Sequence, residues 1–339
     1  MIAAINKDDF DAALLPNARA AMKLDYVQLR QAERDMAIEL LESDGTLAGS
    51  KSIDRDCVMC GADRSRSKLR YFTKGLRIVT CGACGMTYSQ NVLSQEADRD
   101  RYVNSNVPRF HQNIRANPVY GMLEAKKAAY LIGRLGASVT SRGLLLDIGC
   151  STGVLLDAAR NDSWRTVGVE ANPELAAIAQ SKGHEVTVGF FPDVLPAGVR
   201  PDAICVLDVL EHAERPLDFL NLLSDCLSAD GRLLIQVPNF DSLIVRLEGA
   251  ANSTLDIGHW SYFTPKTLDA MLARAGFRAL GTETIISEID KIRGFEWTSI
   301  RRVAEEIAGV TLREPKDLTT HLLHALGMGY KVAGVYARA

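Results

Sequence analysis

Two sets of residues carry chemistry by type and spacing. The first is Cys57-Val-Met-Cys60 and, after twenty intervening residues, Cys81-Gly-Ala-Cys84. At that separation two tight turns present four thiolates tetrahedrally to one zinc ion, while the strands between them pair beneath. Cysteine at all four places leaves no position for water, so the spacing points to a structural metal. A redox dithiol pair is the alternative. Gly61 and Gly85, each following a pair, suit the left-handed backbone such turns take. Because zinc binding contributes on the order of 10 kcal/mol, so small a segment can fold without a large apolar core.

The second set lies downstream, where polar residues punctuate apolar runs. Leu144-Leu-Leu-Asp-Ile-Gly-Cys-Ser-Thr-Gly153 reads as a buried strand with Asp147 near its carboxyl end, then a tight turn from Gly149 to Gly153 into a helix. Such a turn lets a ligand approach bare backbone, and the free N–H groups at the helix start supply positive potential. The same pattern also serves as plain architecture. What favours a cofactor is Thr166-Val-Gly-Val-Glu170, a second strand ending in a carboxylate 23 positions after Asp147. A carboxylate so placed can accept two hydrogen bonds from ribose hydroxyls. Asp208, Glu211 and His212 follow a later strand, and a histidine there can act as a general base.

The elements that must position these groups alternate strand and helix. After Leu144 and Thr166, strands are expected at Glu185–Val188, Asp202–Leu207 and Gly231–Val237, with Asn172-Pro173 capping a helix. Regular alternation implies a parallel sheet with helices on both faces and ligands at the carboxyl ends of its strands. Upstream, Met22, Tyr26, Leu29, Ala32, Met36 and Leu40 recur at gaps of three and four, one helical stripe over about 17–42. It packs on its own chain or forms a homodimer contact. Ser43 to Arg55 reads as a polar linker. Residues 91–142 read as helical, with Asn117-Pro118 starting a helix through about Leu135. Tyr102, Phe110, His111 and Tyr120 are expected there as a lid or as ordinary packing. The expected division is 1–56, helix and linker; 57–90, zinc ribbon; 91–142, connector; 143–339, cofactor-binding domain.

Bulk properties narrow the function. The 339 residues hold 39 Lys+Arg against 42 Asp+Glu, a net charge of -3, which disfavours a nucleic-acid partner. No apolar run approaches the roughly 18 residues that span a bilayer. The acidic start, Asp8-Asp9-Phe10-Asp11, is unlike a signal peptide, so the expectation is a cytoplasmic protein. In that reducing compartment seven cysteines favour metal over disulfides.

Taken in order, Asp-Ile-Gly-Cys-Ser-Thr-Gly, Val-Gly-Val-Glu, Leu-Asp-Val-Leu-Glu-His, Gly-Arg-Leu-Leu-Ile-Gln-Val-Pro-Asn and His259-Trp-Ser-Tyr-Phe-Thr-Pro make residues 118–339 resemble the class I S-adenosylmethionine-dependent methyltransferases. The resemblance implies a doubly wound, seven-stranded, mostly parallel α/β sheet of Rossmann-like type. Its last strand, Tyr330 to Ala337, would be antiparallel and inserted beside Phe277 to Ile286. It implies S-adenosylmethionine as cofactor, with Asp147, Gly149 and Gly153 around the methionine and sulfonium, Glu170 on the ribose, and Gly189 and Phe190 beside the adenine. Ser151, Ala171, Leu207 and Asp208 complete the expected cofactor set. Ser151 replaces a glycine common in this turn, and its hydroxyl could meet the cofactor carboxylate. The carboxylate usual after the third strand is missing, Asp193 being nearest. A nicotinamide dehydrogenase shares the glycine-turn logic but not Glu211-His212 or Pro238-Asn239.

A methyl sulfonium is already a strong electrophile, so the protein has mainly to align an acceptor and, for a hydroxyl or carbon acid, remove its proton. His212 is the candidate base, at the start of the helix after the fourth strand. Glu211 or Asp208 would orient it, and His259 and Tyr262 come next. Helix capping and loop packing are the non-catalytic readings of these residues. The four-cysteine module ahead of the domain resembles arrangements in bacterial sugar- and glycan-modifying methyltransferases, which implies a saccharide, nucleotide-sugar or glycan acceptor. Between the cysteine pairs, however, their characteristic Gly/Pro/Ala/Asn stretch is absent. The alternatives are a natural-product tailoring enzyme and an rRNA or tRNA methyltransferase with a zinc ribbon for RNA. For the latter, Arg64, Arg66, Lys68, Arg70, Lys74 and Arg77 are the basic cluster, read more simply as a solvated hairpin face.

Overall fold

The computed structural model describes residue 7 and residues 23–104, 110, 113–114, 117–194 and 200–339. Helix α1 (Lys23–Glu39) precedes a run of short strands: β1 (Ser52–Asp54), β2 (Ser67–Thr73), β3 (Leu76–Cys81), β4 (Thr87–Ser89) and β5 (Asn91–Leu93). Helices α2 (Gln95–Asn104) and α3 (Pro118–Ala137) lead into the alternating region. It runs β6 (Leu144–Ile148), α4 (Val154–Asn161), β7 (Arg165–Glu170), α5 (Pro173–Ser181), β8 (Glu185–Val188), β9 (Ala203–Leu207), α6 (Pro216–Cys226), β10 (Arg232–Pro238) and α7 (Leu243–Glu248). Then come β11 (Ser261–Tyr262), α8 (Pro265–Arg274), β12 (Phe277–Ile285), α9 (Ile289–Ile292), α10 (Trp297–Ala308), α11 (Thr320–Ala325) and β13 (Lys331–Arg338).

Seven strands form the central sheet in the order β12-β13-β10-β9-β6-β7-β8. From β10 to β8 neighbours are parallel, whereas β13 runs antiparallel between β12 and β10, the insertion expected for the last strand. The four central parallel strands are almost wholly apolar because helices cover both faces. Leu146, Ile204, Leu233 and Ile235 pack into one cluster and Leu145, Ala203, Cys205 and Leu234 into the other, on opposite sides of the sheet. Each large apolar side chain so buried stabilises the fold by about 1.5–3 kcal/mol. The helices start where the sequence signals them. Asn117 accepts from the Val119 N–H, Asn172 from those of Glu174 and Leu175, and Thr264 forms a capping box with Thr267. No helix among the described residues is long and apolar enough to cross a membrane.

Two upstream expectations change. The polar linker Ser43–Arg55 contains β1, which pairs antiparallel with β5, so the 91–142 segment opens on a buried strand and not a helix. On α1, Leu29, Met36 and Leu40 are buried as the stripe requires, packed with Tyr26 and Ala32 against Phe240 and Tyr262 of the same chain. Met22 lies outside the described residues. Phe110 and Tyr120 join that apolar cluster, while His111 and the side chain of Tyr102 lie outside the described residues.

The cysteine ribbon is continuous with the rest of the molecule. Its sheet, β11-β4-β3-β2, takes its outer strand from the segment after α7, with Ser261 opposite Tyr88 and Tyr262 opposite Thr87. Arg55 bridges the same junction. Its guanidinium donates to the carbonyls of Ser89 (2.8 Å), Glu214 (3.1 Å) and Trp260. Burial pushes it down only to about 10, so it stays charged at neutral pH. Replacing Arg55 by Met keeps the apolar stem but leaves three carbonyls without their donor, which should cost about 3–5 kcal/mol. Chemical denaturation would show this as a lowered midpoint; an unchanged midpoint would contradict the bridging role.

Candidate functional site

Strand ends and tight turns bring the downstream residues together. Asp147 sits near the carboxyl end of β6 and is buried. Beyond it the chain turns through Gly149 (φ 77°), Ser151 (φ 51°) and Gly153 (φ 78°) into α4. At Gly149 a Cβ would lie 2.6 Å from Val209, on the loop after β9, so the turn passes close beneath that loop and tolerates no side chain there. Ser151 holds a left-handed conformation that costs an ordinary residue about 1–2 kcal/mol. What fixes it is Glu170, whose carboxylate accepts the N–H groups of Ser151 and Asn172, both at 2.8 Å. A carboxylate has about four lone-pair sites, so each oxygen keeps capacity for a further donor.

Burial, with Glu170 nearby, pushes the Asp147 carboxyl up to about 8. Neither Asp147 nor Glu170 makes an ion pair among the described residues. Two buried carboxylates at adjacent strand ends therefore fit a ligand that carries positive charge and hydroxyl donors, as S-adenosylmethionine does. Gly189 (φ 143°) follows β8 and its N–H donates to the Glu170 carbonyl at 2.9 Å. Phe190 is exposed beneath the Arg99 guanidinium, and Asp193 is also exposed, 3.5 Å from Arg99. Ala171 and Leu207 are half-buried at the ends of β7 and β9. A hollow of about 520 Å³ among α3, α4 and α5, lined by Gly121, Thr152, Asp157 and Lys182, contains none of these carboxylates.

Past β9 the chain makes a 3-10 turn, Leu210–His212, and α6 starts only at Pro216. His212 thus ends a short turn instead of starting the helix. The expected orienting carboxylates are also not its partners. Its Nδ1 lies 2.7 Å from the Gly258 carbonyl, and that of His259 lies 2.8 Å from the Thr254 carbonyl. A carbonyl can only accept, so in both neutral rings Nδ1 carries the proton and Nε2 the lone pair. The two rings meet edge to face, centroids 4.7 Å apart. Ligand atoms of Glu211, His212 and His259 all lie within 4.8 Å of one another. Glu211 is 1% exposed and neither of its carboxylate oxygens has a hydrogen-bond partner. Burial, then the charge of Asp208, pushes it up to about 8. Desolvation lowers the His212 pKa, although one side of the ring is open to solvent, and burial together with His212 brings His259 down to about 3.

Asp208 is bound elsewhere. Its carboxylate accepts from Lys331 (2.8 Å) and Gln236 (3.1 Å), so that burial, which would raise its pKa, is outweighed by Lys331 and Lys127 and it stays near 2. Tyr262, in β11, donates to the His259 carbonyl at 2.8 Å and lies 3.2 Å from the Ser89 hydroxyl. Its hydroxyl is engaged in holding the loop that carries His259. Lys331 and Arg55 carry no motif in the sequence, and the strand pattern that contains Gln236 gives it no role; only their burial and partners reveal them.

The four ribbon thiols also converge. The sulfurs of Cys57 and Cys84 are 3.5 Å apart, and those of Cys60 and Cys81 3.7 Å. Four thiolates about 2.3 Å from one zinc would lie roughly 3.8 Å apart, so the set fits a tetrahedral ion.

Residues 122–281 match the family model of a methyltransferase domain. The match begins in α3 and ends in β12, and so spans the glycine turn, Glu170 and the Glu211–His259 cluster. Among curated relatives, the chain is 25% identical over 216 residues to the C-methyltransferase NovU of Streptomyces niveus, covering 62% of this chain and 48% of that protein. It is 30% identical over 166 residues to a ubiquinone biosynthesis O-methyltransferase of Azorhizobium caulinodans, covering 45% and 64%. The chain thus spans about half to under two thirds of these relatives. A solved structure of a SAM-dependent methyltransferase from Archaeoglobus fulgidus is similar at 20% identity and TM-score 0.46, over 62% of this chain and 93% of that one.

Proposed function

We propose that the chain transfers the methyl group of S-adenosylmethionine to a hydroxyl or acidic carbon of a small polar acceptor, of saccharide, nucleotide-sugar or glycan class, at Glu211, His212 and His259. The observation that carries this is the convergence of one carboxylate and two imidazoles, a ligand atom of each within 4.8 Å of the others, just past the end of β9; with Nδ1 of each ring turned to a carbonyl, Nε2 is the nitrogen left to accept. A polyhydroxylated molecule offers several O–H donors to match them. That one relative is named for carbon and another for oxygen methylation agrees with an acceptor of either type.

S-adenosylmethionine supplies the methyl electrophile. The protein aligns the acceptor for in-line attack: the methyl–sulfur bond breaks as the acceptor oxygen or carbon bonds the methyl, S-adenosylhomocysteine leaves, and the acceptor proton passes to His212 Nε2. The Gly258 carbonyl fixes the tautomer that leaves this nitrogen open. The RNA alternative is less well supported. Arg64, Arg66, Lys68 and Arg70 are exposed, but Lys74 is tied to Asp256 (3.1 Å) and Arg77 to Asp54, which breaks the field a phosphate backbone needs. For the ribbon we propose structural zinc.

The cofactor assignment predicts that Glu170→Ala weakens S-adenosylmethionine binding, at about 1.5–3 kcal/mol per charged hydrogen bond lost; calorimetry showing equal affinity would contradict it. Protein purified without chelator should carry about one zinc per chain, and Cys81→Ser should lose it and destabilise the ribbon. Metal analysis finding none would reject that site. For the acceptor, methyl-labelled cofactor offered separately to small-molecule, glycan and RNA fractions should label the saccharide-containing ones, and labelling of RNA alone would overturn the reading. With the acceptor so found, His212→Ala should lower the rate about 10²–10⁴-fold while cofactor affinity stays nearly constant. A structural histidine would instead lose stability and affinity together.

A further inference from the structure

Three carboxylates around the His212 recess are paired with cations. Asp208 has Lys331 at 2.8 Å, Asp98 has Arg101 at 2.7 Å, and Asp256 has Lys74 at 3.1 Å. Among the described residues Glu211 makes no ion pair and receives no donor on either oxygen; Lys331 acts on it only from a distance, while the Lys331 ammonium pairs with Asp208. A buried ionised carboxylate without a partner costs several kcal/mol, so the position calls for a positively charged occupant or a proton. The sulfonium of a cofactor could offset that charge alone. It would leave unused the two imidazoles that have a ring nitrogen within 4.8 Å of the same carboxylate.

Those imidazoles are prepared as ligands. Each donates Nδ1–H to a backbone carbonyl, Gly258 for His212 and Thr254 for His259, which is how metal-binding histidines are commonly oriented and their Nε2 made more basic. Both carbonyls belong to one stretch, 254–258, and the His259 N–H donates to the Asp256 carbonyl at 3.0 Å, so the ring positions are set by one ordered loop. Two histidines and one carboxylate form a three-ligand set that leaves further coordination positions open. Ligand atoms about 2.1 Å from one ion would stand roughly 3.0–3.5 Å apart. The present spread, within 4.8 Å, closes to that with side-chain shifts of about 1 Å.

We propose that Glu211, His212 Nε2 and His259 Nε2 bind one divalent transition-metal ion, at a second metal site distinct from the four-cysteine ribbon. The ion takes the lone pair that His212 would otherwise offer to an acceptor, so occupancy governs whether this histidine is ligand or base. That consequence rests on the methyl-transfer reading above; the binding itself does not.

The probe is Mn²⁺, an oxygen- and nitrogen-preferring ion that does not compete for the zinc-loaded thiolates. Added to zinc-replete, cofactor-free protein, it should bind at about one ion per chain by electron paramagnetic resonance and raise the melting temperature. Glu211→Gln keeps the shape and removes the buried charge, so it should fold at least as stably, yet bind Mn²⁺ at least tenfold more weakly and lose the thermal shift. His259→Asn should weaken binding similarly. Absence of Mn²⁺ binding, or equal binding in both variants, would overturn the site. If metal-free protein still transfers methyl groups with dependence on His212 while Mn²⁺ fails to bind, this inference falls and the proposed function stands.

Discussion

The contact on which the rest of the site depends is the clasp made by residues 254–263 between the cysteine ribbon and the ends of the central strands. On one side the Trp260 N–H donates to the Glu211 carbonyl at 2.9 Å and the Gly258 carbonyl accepts from His212. On the other, the Trp260 carbonyl accepts from the Ser89 N–H at 3.0 Å and from Arg55, while β11 pairs with β4. The loop therefore has little freedom of its own. Displacing it would move both histidines, and it is anchored partly by strands whose order depends on the cysteine turns. The cysteine ribbon is thus joined to the histidine loop through two short strands and one arginine.

Charge placement gives the site its character. A protein interior tolerates carboxylates when they are paired, and Asp208, Asp98 and Asp256 meet that condition. Asp147, Glu170 and Glu211 do not; each lies near a strand's carboxyl end and makes no ion pair among the described residues. The sheet holds these acceptors in a low-dielectric setting where a cationic or hydroxyl-bearing ligand gains more than it would in water. Positive backbone angles at Ser151 and Asp208, two non-glycine residues at those ends, show that local conformation has given way to this arrangement.

Much of this was legible in the sequence because the signals are local. Apolar runs with Asp147 and Glu170 near their ends located the parallel strands, and Asn-Pro pairs located two helix starts. Cysteine spacing brought four thiols within reach of one ion. What could not be read is what joins distant segments. A two-residue strand such as β11 has no periodicity, and its pairing with β4 spans about 170 residues. Lys331 sits in a strand of otherwise ordinary composition, and only the fold carries it to Asp208. His212 looked like the hydrogen-bond partner of neighbouring carboxylates, but a carbonyl from 46 residues further on takes its Nδ1 instead.

The proposed methyl transfer requires the reactive methyl to lie against the two histidines, between the cofactor strand ends and the clasp. It is tested most directly by magnetic resonance on the binary complex with S-adenosylmethionine carrying a ¹³C-labelled methyl. Nuclear Overhauser contacts are expected from that methyl to ring protons of His212 or His259, retained in Cys226→Ser, a control at a cysteine outside both the ribbon and the histidine cluster. A methyl that contacts neither ring, with the cofactor bound at full affinity, would contradict it.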